Sequence, residues 1–129
     1  MKILLDTHIF LWLITNNSRL NERCCNAIRD RDNEVYLSVV SVWEAMIKYQ
    51  LGKLPLPESP EIYLPKQRER HQIASLSIDE SAIAQLAKLP PLHKDPFDRL
   101  LLGQALEHDL IIMTEDSAII SYPLAKIFK

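Results

Sequence analysis

The chain has 129 residues, of which 47% are hydrophobic and 25% are charged, and its formal net charge at pH 7 is −2. This length and composition predict one globular domain, residues 1–129, that is large enough to bury a core. They exclude a membrane-spanning protein, since no apolar run approaches the roughly 20 residues of a span, and a whole-molecule basic field of the kind many nucleic-acid-binding proteins carry.

Apolar runs of two kinds alternate along the first part of the chain. Short runs rich in branched and aromatic residues favour strands, and runs with helical spacing favour helices. Gly52 supplies a helix stop after the last of these runs. The predicted elements are a strand at Lys2–Leu5, helices at Ile9–Ile14 and Leu20–Arg31, a strand at Glu34–Ser38 and a helix at Val42–Leu51.

Prolines make the next segment, KLPLPESP at 53–60, an extended connector. Beyond it the pattern predicts a charged helix at 61–70, a strand at Ile73–Leu76, helices at Asp79–Lys88 and Pro96–His108, and strands at Leu110–Met113 and Leu124–Phe128. Strands separated by helices predict an α/β fold with a mostly parallel central sheet of about five strands, flanked by helices on both faces.

Acidic residues follow two of the predicted strands. Asp6 comes directly after the first strand, and Glu115 and Asp116 follow the strand that ends at Met113. In an open parallel sheet, ligands bind at the carboxyl ends of the strands, near the point where the strand order reverses. If these two strands are neighbours at that point, Asp6 and Asp116 face the same crevice.

Two further acids stand at predicted helix starts, where capping alone would explain them. SVWE fits a capping box in which Ser41 is the N-cap and Glu44 reaches back to it. In DPFD, Asp95 is suited to cap a helix whose first turn contains Asp98. Asp6 has no comparably simple structural explanation.

The four acids are more informative together than singly. Carboxylates that converge on one crevice repel each other, and a divalent cation relieves that repulsion. Hard oxygen ligands suit Mg²⁺ or Mn²⁺ rather than zinc. A metal ion held by carboxylates and completed by water is typical of phosphoryl chemistry on nucleic acids.

Other groups that often carry chemistry have simpler interpretations. The four histidines lack zinc-site spacing, and the only two cysteines are adjacent, which favours reduced packing residues. Trp12 and Trp43 lie among apolar neighbours and are predicted to be core residues. The basic stretch KQRERH, 66–71, is a solvated helix face whose cations could also meet phosphates. Two glycines are too few for a phosphate-binding glycine loop, which excludes P-loop and Rossmann sites.

Four segments together resemble the PIN domain, and more narrowly the VapC-type toxins of bacterial toxin–antitoxin pairs. They are LLDTHIFLWL, SVVSVWEAMIK, HKDPFDRLLLGQA and LIIMTEDSAIISYP, which occur in this order over nearly the whole chain. The resemblance implies a single-domain PIN-like fold. It assigns the family's acidic quartet, catalytic and metal-binding, to Asp6, Glu44, Asp98 and Asp116.

The same motifs imply supporting residues, namely Thr114, Asp95, Arg99 and Ser41. Thr114 would support the site by hydrogen bonding. Asp95, Arg99 and His93 match the HKDPFDRLL motif, with Asp95 as a helix cap and Arg99 as a contact to phosphate or to a neighbouring carboxylate. Gly103 departs from the pattern, where Ala is usual, and should loosen its helix by about 1 kcal/mol.

The resemblance therefore implies an Mg²⁺- or Mn²⁺-dependent endoribonuclease that acts as a growth-inhibiting toxin. Its expected partners are an RNA substrate, a small VapB-like antitoxin and a second copy of the chain in a homodimer. Because no secretory signal is visible, we expect a cytoplasmic protein. Two alternatives remain open: a housekeeping RNA-processing or flap nuclease of the same fold, and a catalytically inactive domain that binds RNA or protein and uses the acids as caps.

Overall fold

Four parallel strands form the central sheet of the computed structural model, which describes residues 1–92 and 94–129. The strands are β1 (Lys2–Leu5), β2 (Glu34–Ser38), β3 (Ala74–Leu76) and β4 (Ile111–Met113). Their spatial order is β3-β2-β1-β4, with every neighbouring pair parallel. The chain thus builds from β1 through β2 to β3 and then adds β4 on the other side of β1. The strand order reverses between β1 and β4, which meets the condition under which Asp6 and Asp116 face the same crevice.

Helices cover both faces of this sheet. They are α1 (Thr7–Ile14), α2 (Glu22–Arg29), α3 (Val39–Gln50), α4 (Pro60–Arg70), α5 (Glu80–Ala84) with a following 3₁₀ turn (Gln85–Lys88), α6 (Pro96–His108) and α7 (Ser117–Ile120). Side chains of β1 alternate between two cores: Ile3 and Leu5 pack with residues of α1 to α4, and Leu4 packs with residues of α6. The α/β class with helices on both faces is therefore confirmed. None of the described helices combines the length and apolar character needed to cross a bilayer.

The predicted last strand, Leu124–Phe128, is reduced to a single parallel bridge between Ile112 and Ile127. Ile112 N donates to the carbonyl of Lys126 at 2.8 Å, and Phe128 N donates to the carbonyl of Ile112 at 2.8 Å. The outer edge of β4 therefore pairs with the segment after Pro123 at one residue, which is too little for a strand. The sheet accordingly has four strands within the described residues, where about five were predicted.

The start of α3 differs from the prediction. The helix begins at Val39, directly after β2, and its N-cap is Ser38, whose side chain accepts a hydrogen bond from Val40 N at 3.0 Å. Ser41 is thus an interior helical residue, fully buried, and the predicted capping box was wrong. The physical reason is that Ser38 both ends the strand and caps the helix, so that no connector separates them. Glu44 is thereby released from a capping role.

Gly103 allows α5 and α6 to pack backbone against backbone. A Cβ atom at this position would lie 2.5 Å from the carbonyl oxygen of Ala82 and 3.2 Å from Cδ2 of Leu86. The first of these distances is far inside van der Waals contact, and a backbone oxygen cannot move aside as a flexible side chain would. The glycine is therefore required by the packing of the two helices, whatever it costs in helix propensity.

Gly103→Ala is expected to lower the free energy of unfolding by about 1–3 kcal/mol, the typical cost of overpacking a core. Helix propensity alone predicts the opposite sign, a gain of about 1 kcal/mol. Urea denaturation of the two proteins measures the difference directly. A variant more stable than the parent would show that α5 and α6 do not approach as closely as the structure describes.

Candidate active site

The candidate site lies at the carboxyl edge of the neighbouring strands β1 and β4. Leu5, the last residue of β1, is paired with Met113, the last residue of β4. The residues that follow these strands therefore emerge side by side. Asp6 N also donates to the carbonyl of Met113 at 3.0 Å, which extends the pairing by one step. Strand register thus brings Asp6 and Thr114 to the same point.

Asp6 is a buried carboxylate that does not act as a helix cap. It occupies the residue before α1, with extended backbone angles, but its side chain makes no capping hydrogen bond. The Thr114 hydroxyl instead donates to Asp6 Oδ2 at 2.8 Å, and the whole residue is only 3% exposed. The sequence suggested that Asp6 is not an ordinary helix cap, and the structure agrees with this.

Burial raises the pKa of Asp6 above its ordinary value. The hydrogen bond from Thr114 and the nearby His8 oppose this shift, while the negative charge of Glu44 adds to it. The ionised form of Asp6 is thus disfavoured by the protein as it stands. A cation in the cleft would favour that ionised form. A buried carboxylate that gains from a nearby cation is what we expect of a metal ligand.

Glu44 is held by side chains from two helices. The Thr7 hydroxyl donates to Glu44 Oε1 at 2.7 Å, and the Thr7 oxygen lies 2.8 Å from the Ser41 hydroxyl oxygen. On the other side, Lys48 Nζ lies 3.3 Å from Glu44 Oε2, one helical turn along α3. Ser41 is therefore a positioning group rather than a cap. Thr7 was missed by the sequence reasoning, although a polar residue directly after Asp6 was a signal that could have found it.

Thr114 connects Asp6 to Asp116. Its oxygen donates to Asp6 and accepts from Asp116 N at 3.0 Å. The Asp116 carboxylate caps α7, accepting from Ala118 N at 2.9 Å. Asp6 and Asp116 both line a cleft of about 320 Å³, together with His8, Ile9, Trp12 and Glu115. The predicted convergence of Asp6 and Asp116 on one crevice is thus what the structure shows.

Asp98 lies in the first turn of α6 and does not line the cleft of Asp6 and Asp116. Asp95 caps this helix, accepting from Phe97 N at 2.9 Å and from Asp98 N at 3.3 Å, as the DPFD pattern predicted. Asp98 itself is buried and interacts with its surroundings. His93, which belongs to the same motif, lies outside the described residues.

Arg99 holds the segment that leads into α6. Its guanidinium donates to the carbonyls of Leu86 and Pro90, both at 3.4 Å, and to the Tyr122 hydroxyl at 3.2 Å. The predicted contact with a carboxylate is not among its interactions with the described residues. Two carbonyls and a hydroxyl near its position satisfy the guanidinium, so Arg99 ties the loop before α6 to the end of α7.

Trp43 was predicted to be a core residue, and this was wrong, since it is 54% exposed. Its ring packs edge-to-face on Phe97, with centroids 4.9 Å apart and an interplanar angle of 78°. The apolar neighbours in sequence surround it along α3, but the helix turns this position away from the core. The contact joins the turn of α3 that carries Glu44 to the turn of α6 that carries Asp98.

The donor atoms at this edge of the sheet fit Mg²⁺ or Mn²⁺ in their chemistry, because they are hard carboxylate oxygens. Within the described residues, however, no three Asp, Glu, His or Cys side chains form a group that could hold one ion. Mg²⁺ does not require such a cage, since it usually keeps several waters and takes one or two carboxylates directly. The arrangement fits an open, largely hydrated metal ion.

Comparison with known proteins shows the same family over most of the chain. The family model described as PIN domain matches residues 3–123. Ribonuclease VapC16 of Mycobacterium tuberculosis is 40% identical over 57 residues, which cover 44% of this chain and 40% of that protein. Ribonuclease VapC22 of the same organism is 27% identical over 125 residues, covering 93% of this chain and 91% of that protein.

Solved structures share the fold at lower identity. VapBC2 from Rickettsia felis, bound to a DNA fragment from its promoter, matches with a TM-score of 0.73 and 17% identity over 99% of this chain and 98% of that one. DNA-bound VapBC from Salmonella typhimurium matches with a TM-score of 0.64 and 22% identity over 99% of this chain and 97% of that one. At these identities the likeness establishes the fold.

Proposed function

The chain belongs to the PIN-domain family, and we propose that it is a divalent-metal-dependent endoribonuclease of the VapC type, the toxin of a type II toxin–antitoxin pair. The observation that carries this proposal is the state of Asp6. A desolvated carboxylate, not used as a cap and facing a cleft shared with Asp116, has a simple role as a metal ligand. The curated relatives are both named as ribonucleases, which supports RNA as the substrate.

In this proposal Asp6, Glu44, Asp98 and Asp116 together bind the metal, Mg²⁺ or Mn²⁺, one or two of them directly and the others through its water ligands. When bound, such an ion lowers the pKa of a water molecule and neutralises charge that develops on a phosphate. The residues around the acids set their geometry. Thr114 fixes one oxygen of Asp6 by donating to it, and Thr7 fixes one oxygen of Glu44 in the same way.

Lys48 and the apolar residues of the cleft set the electrostatic surroundings of the acids. The ammonium of Lys48 lies 3.3 Å from Glu44 Oε2 and offsets the negative charge of that buried side chain on α3. Ile9 and Trp12 form an apolar wall beside Asp6 and Asp116. An apolar wall limits the water around the acids, and charge–charge interactions are stronger where water is excluded.

The proposed partners follow from the relatives. The structures that share the fold are described as VapBC assemblies, some of them on DNA. We therefore propose that a small VapB-like antitoxin blocks the cleft of this protein, that the chain forms a homodimer, and that it acts in the cytoplasm as a single domain, residues 1–129.

The direct test is cleavage of a structured RNA by the purified protein, followed on a denaturing gel with Mg²⁺, with Mn²⁺ and with excess EDTA. We expect internal cleavage with either metal, none in EDTA, and recovery when Mg²⁺ is restored in excess. Growth arrest on expression, relieved by co-expression of the small protein encoded beside it, separates a toxin from a housekeeping nuclease. Cleavage that continues unchanged in EDTA would contradict the proposal.

A further inference from the structure

A second concavity lies at the opposite edge of the sheet from the acidic cleft. It occupies about 380 Å³ where α2 leads into β2 and α4 leads into β3. Three arginines line it, Arg29 at the end of α2, Arg31 in the following turn and Arg70 at the end of α4, and His71 stands beside them. We call this concavity the arginine pocket. Part of it is the basic stretch KQRERH, whose function the acidic site leaves unexplained.

Among the described residues that line the arginine pocket, three arginines face a single carboxylate, so that the pocket carries an excess of positive charge. No salt bridge within the described residues involves Arg29, Arg31 or Arg70. The pocket contains one carboxylate, that of Asp30, and its Oδ1 already accepts from Asp32 N at 3.0 Å. Burial lowers the pKa of His71, and the positive charges of Arg70 and then Arg29 add to that shift.

Helix termini explain only part of this cluster. Cations in the last turn of a helix are favoured by its dipole, which accounts for Arg29 and Arg70 individually. Arg31 lies beyond the end of α2 and gains little from that effect. The helix dipoles also do not explain why α2 and α4, from different parts of the chain, place their cations around one concavity. Three unpaired guanidinium groups around a shared space form a site for an anion, and phosphate matches their planar donors.

A groove beside α1 and α2 shares one lining residue with the arginine pocket and another with the acidic cleft. This groove, of about 290 Å³, is lined by Trp12, which also lines the acidic cleft, and by Arg29, which also lines the arginine pocket. Between them it presents the polar side chains of Asn16, Asn17 and Ser18. Each of the three concavities thus shares a lining residue with the next, and we call this series of concavities the track.

We propose that this track binds the RNA strand whose cleavage the acidic cleft carries out, with backbone phosphates of that strand bound in the arginine pocket. This inference rests on the proposed ribonuclease function. The two ends lie at opposite edges of a sheet in which β2 alone, at five residues, spans about 16 Å. An occupant that touches both ends is therefore an extended polymer. Its charge is negative, because the arginines at the far end are unpaired.

The test measures RNA binding in the absence of turnover. In an Asp6→Asn background, fluorescence anisotropy gives the Kd of a structured RNA long enough to reach both ends, over a series of salt concentrations. Arg29→Gln/Arg70→Gln is expected to raise that Kd at least about tenfold at low salt and to reduce the slope of log K against log salt by about 1.4, which is about 0.7 for each lost phosphate contact on a single strand. Arg31→Gln alone, at an exposed position, is expected to reduce the slope by about half as much.

A matched control removes two positive charges elsewhere. Lys88→Gln/Lys129→Gln has the same net charge as the double arginine variant, and both lysines are exposed and lie outside the track. It is expected to change Kd less than about twofold. A second comparison uses a short oligonucleotide that fills only the acidic cleft, for which the arginine substitutions should have no more effect than the control.

Equal weakening by the arginine and lysine variants would overturn the proposal, because only net charge would matter. An equal loss of affinity for the short and the long RNA would also overturn it. The arginine substitutions should affect only an RNA that is long enough to reach the arginine pocket. An unchanged Kd in both arginine variants would overturn it as well. The arginines would then serve only to stabilise helix ends or to bind an acidic protein. Binding is measured without cleavage, so the two proposals can fail separately. A protein that binds RNA along the track but cleaves none would contradict the ribonuclease proposal and leave the binding proposal intact.

Discussion

Asp6→Asn is expected to reduce metal-dependent RNA cleavage at least about a hundredfold, the scale of losing one preorganised electrostatic group in an active site. The substitution keeps the size of the side chain and the hydrogen bond from Thr114, so that little else changes. What is lost is the negative charge at the edge of the sheet. Initial cleavage rates with saturating Mg²⁺ measure the effect.

The same variant is expected to be more stable than the parent at neutral pH when no metal is present. The pKa of Asp6 is raised in the folded state from an ordinary value of 3.8. Its contribution to stability is fully present below that value and is lost as the pH rises through the folded-state pKa. Asparagine has no such loss. The difference in unfolding free energy between Asp6→Asn and the parent should therefore be small below pH 3.8 and grow above it. Urea denaturation in EDTA at an acidic and at a neutral pH gives both values.

Asp79→Ala provides a matched control for loss of an aspartate. Asp79 caps α5, accepting from Ala82 N at 2.9 Å, and it does not line the acidic cleft. Its replacement should cost about 1 kcal/mol of stability and leave the cleavage rate unchanged. Asp6→Asn should therefore lose activity and gain stability, whereas Asp79→Ala should keep its activity and lose stability. An Asp6→Asn protein that retains full activity would remove Asp6 from the metal site.

Asp116→Ser is expected to separate the capping role of Asp116 from its role at the metal. Serine caps helices about as well as aspartate, so the hydrogen bond to Ala118 N can be kept. The carboxylate is lost, and we expect cleavage to fall about a hundredfold while the free energy of unfolding stays within about 0.5 kcal/mol of the parent.

The alternative of an inactive domain whose acids are caps makes a different prediction for this variant. If Asp116 only caps α7, a serine in its place should leave RNA binding, metal binding and stability all unchanged. Asp116→Ala tests the cap itself, because it should lose about 1 kcal/mol of stability as well as activity. Cleavage by Asp116→Ser at the parental rate would support the capping interpretation.

The sequence predicted the elements whose boundaries depend on local chemistry. Pro96–His108 is a helix with the predicted limits, because Asp95 caps it and Pro96 suits its first turn. The sequence also showed that Asp6 and Asp116 follow strands, and their convergence depended on those strands being neighbours, which the sheet order β3-β2-β1-β4 shows.

The features that the sequence did not predict depend on contacts between distant segments. Ser38 rather than Ser41 caps α3 because the helix starts directly at the strand end, and this freed Ser41 to approach Thr7. Trp43 is exposed because α3 is oriented by its contacts with other helices, which helical spacing alone does not determine. The requirement for Gly103 arises from the carbonyl of Ala82, a contact between α5 and α6 that no local pattern reveals.

Binding of Mn²⁺ to the purified protein, followed by isothermal titration calorimetry at neutral pH, tests the central claim most directly. The claim is that the acids at the carboxyl edge of β1 and β4 hold a divalent metal ion. We expect saturable binding to the parent and to Asp79→Ala, and strongly weakened binding to Asp6→Asn and Asp116→Ser. Absence of saturable binding to the parent, or equal binding to all four proteins, would contradict it.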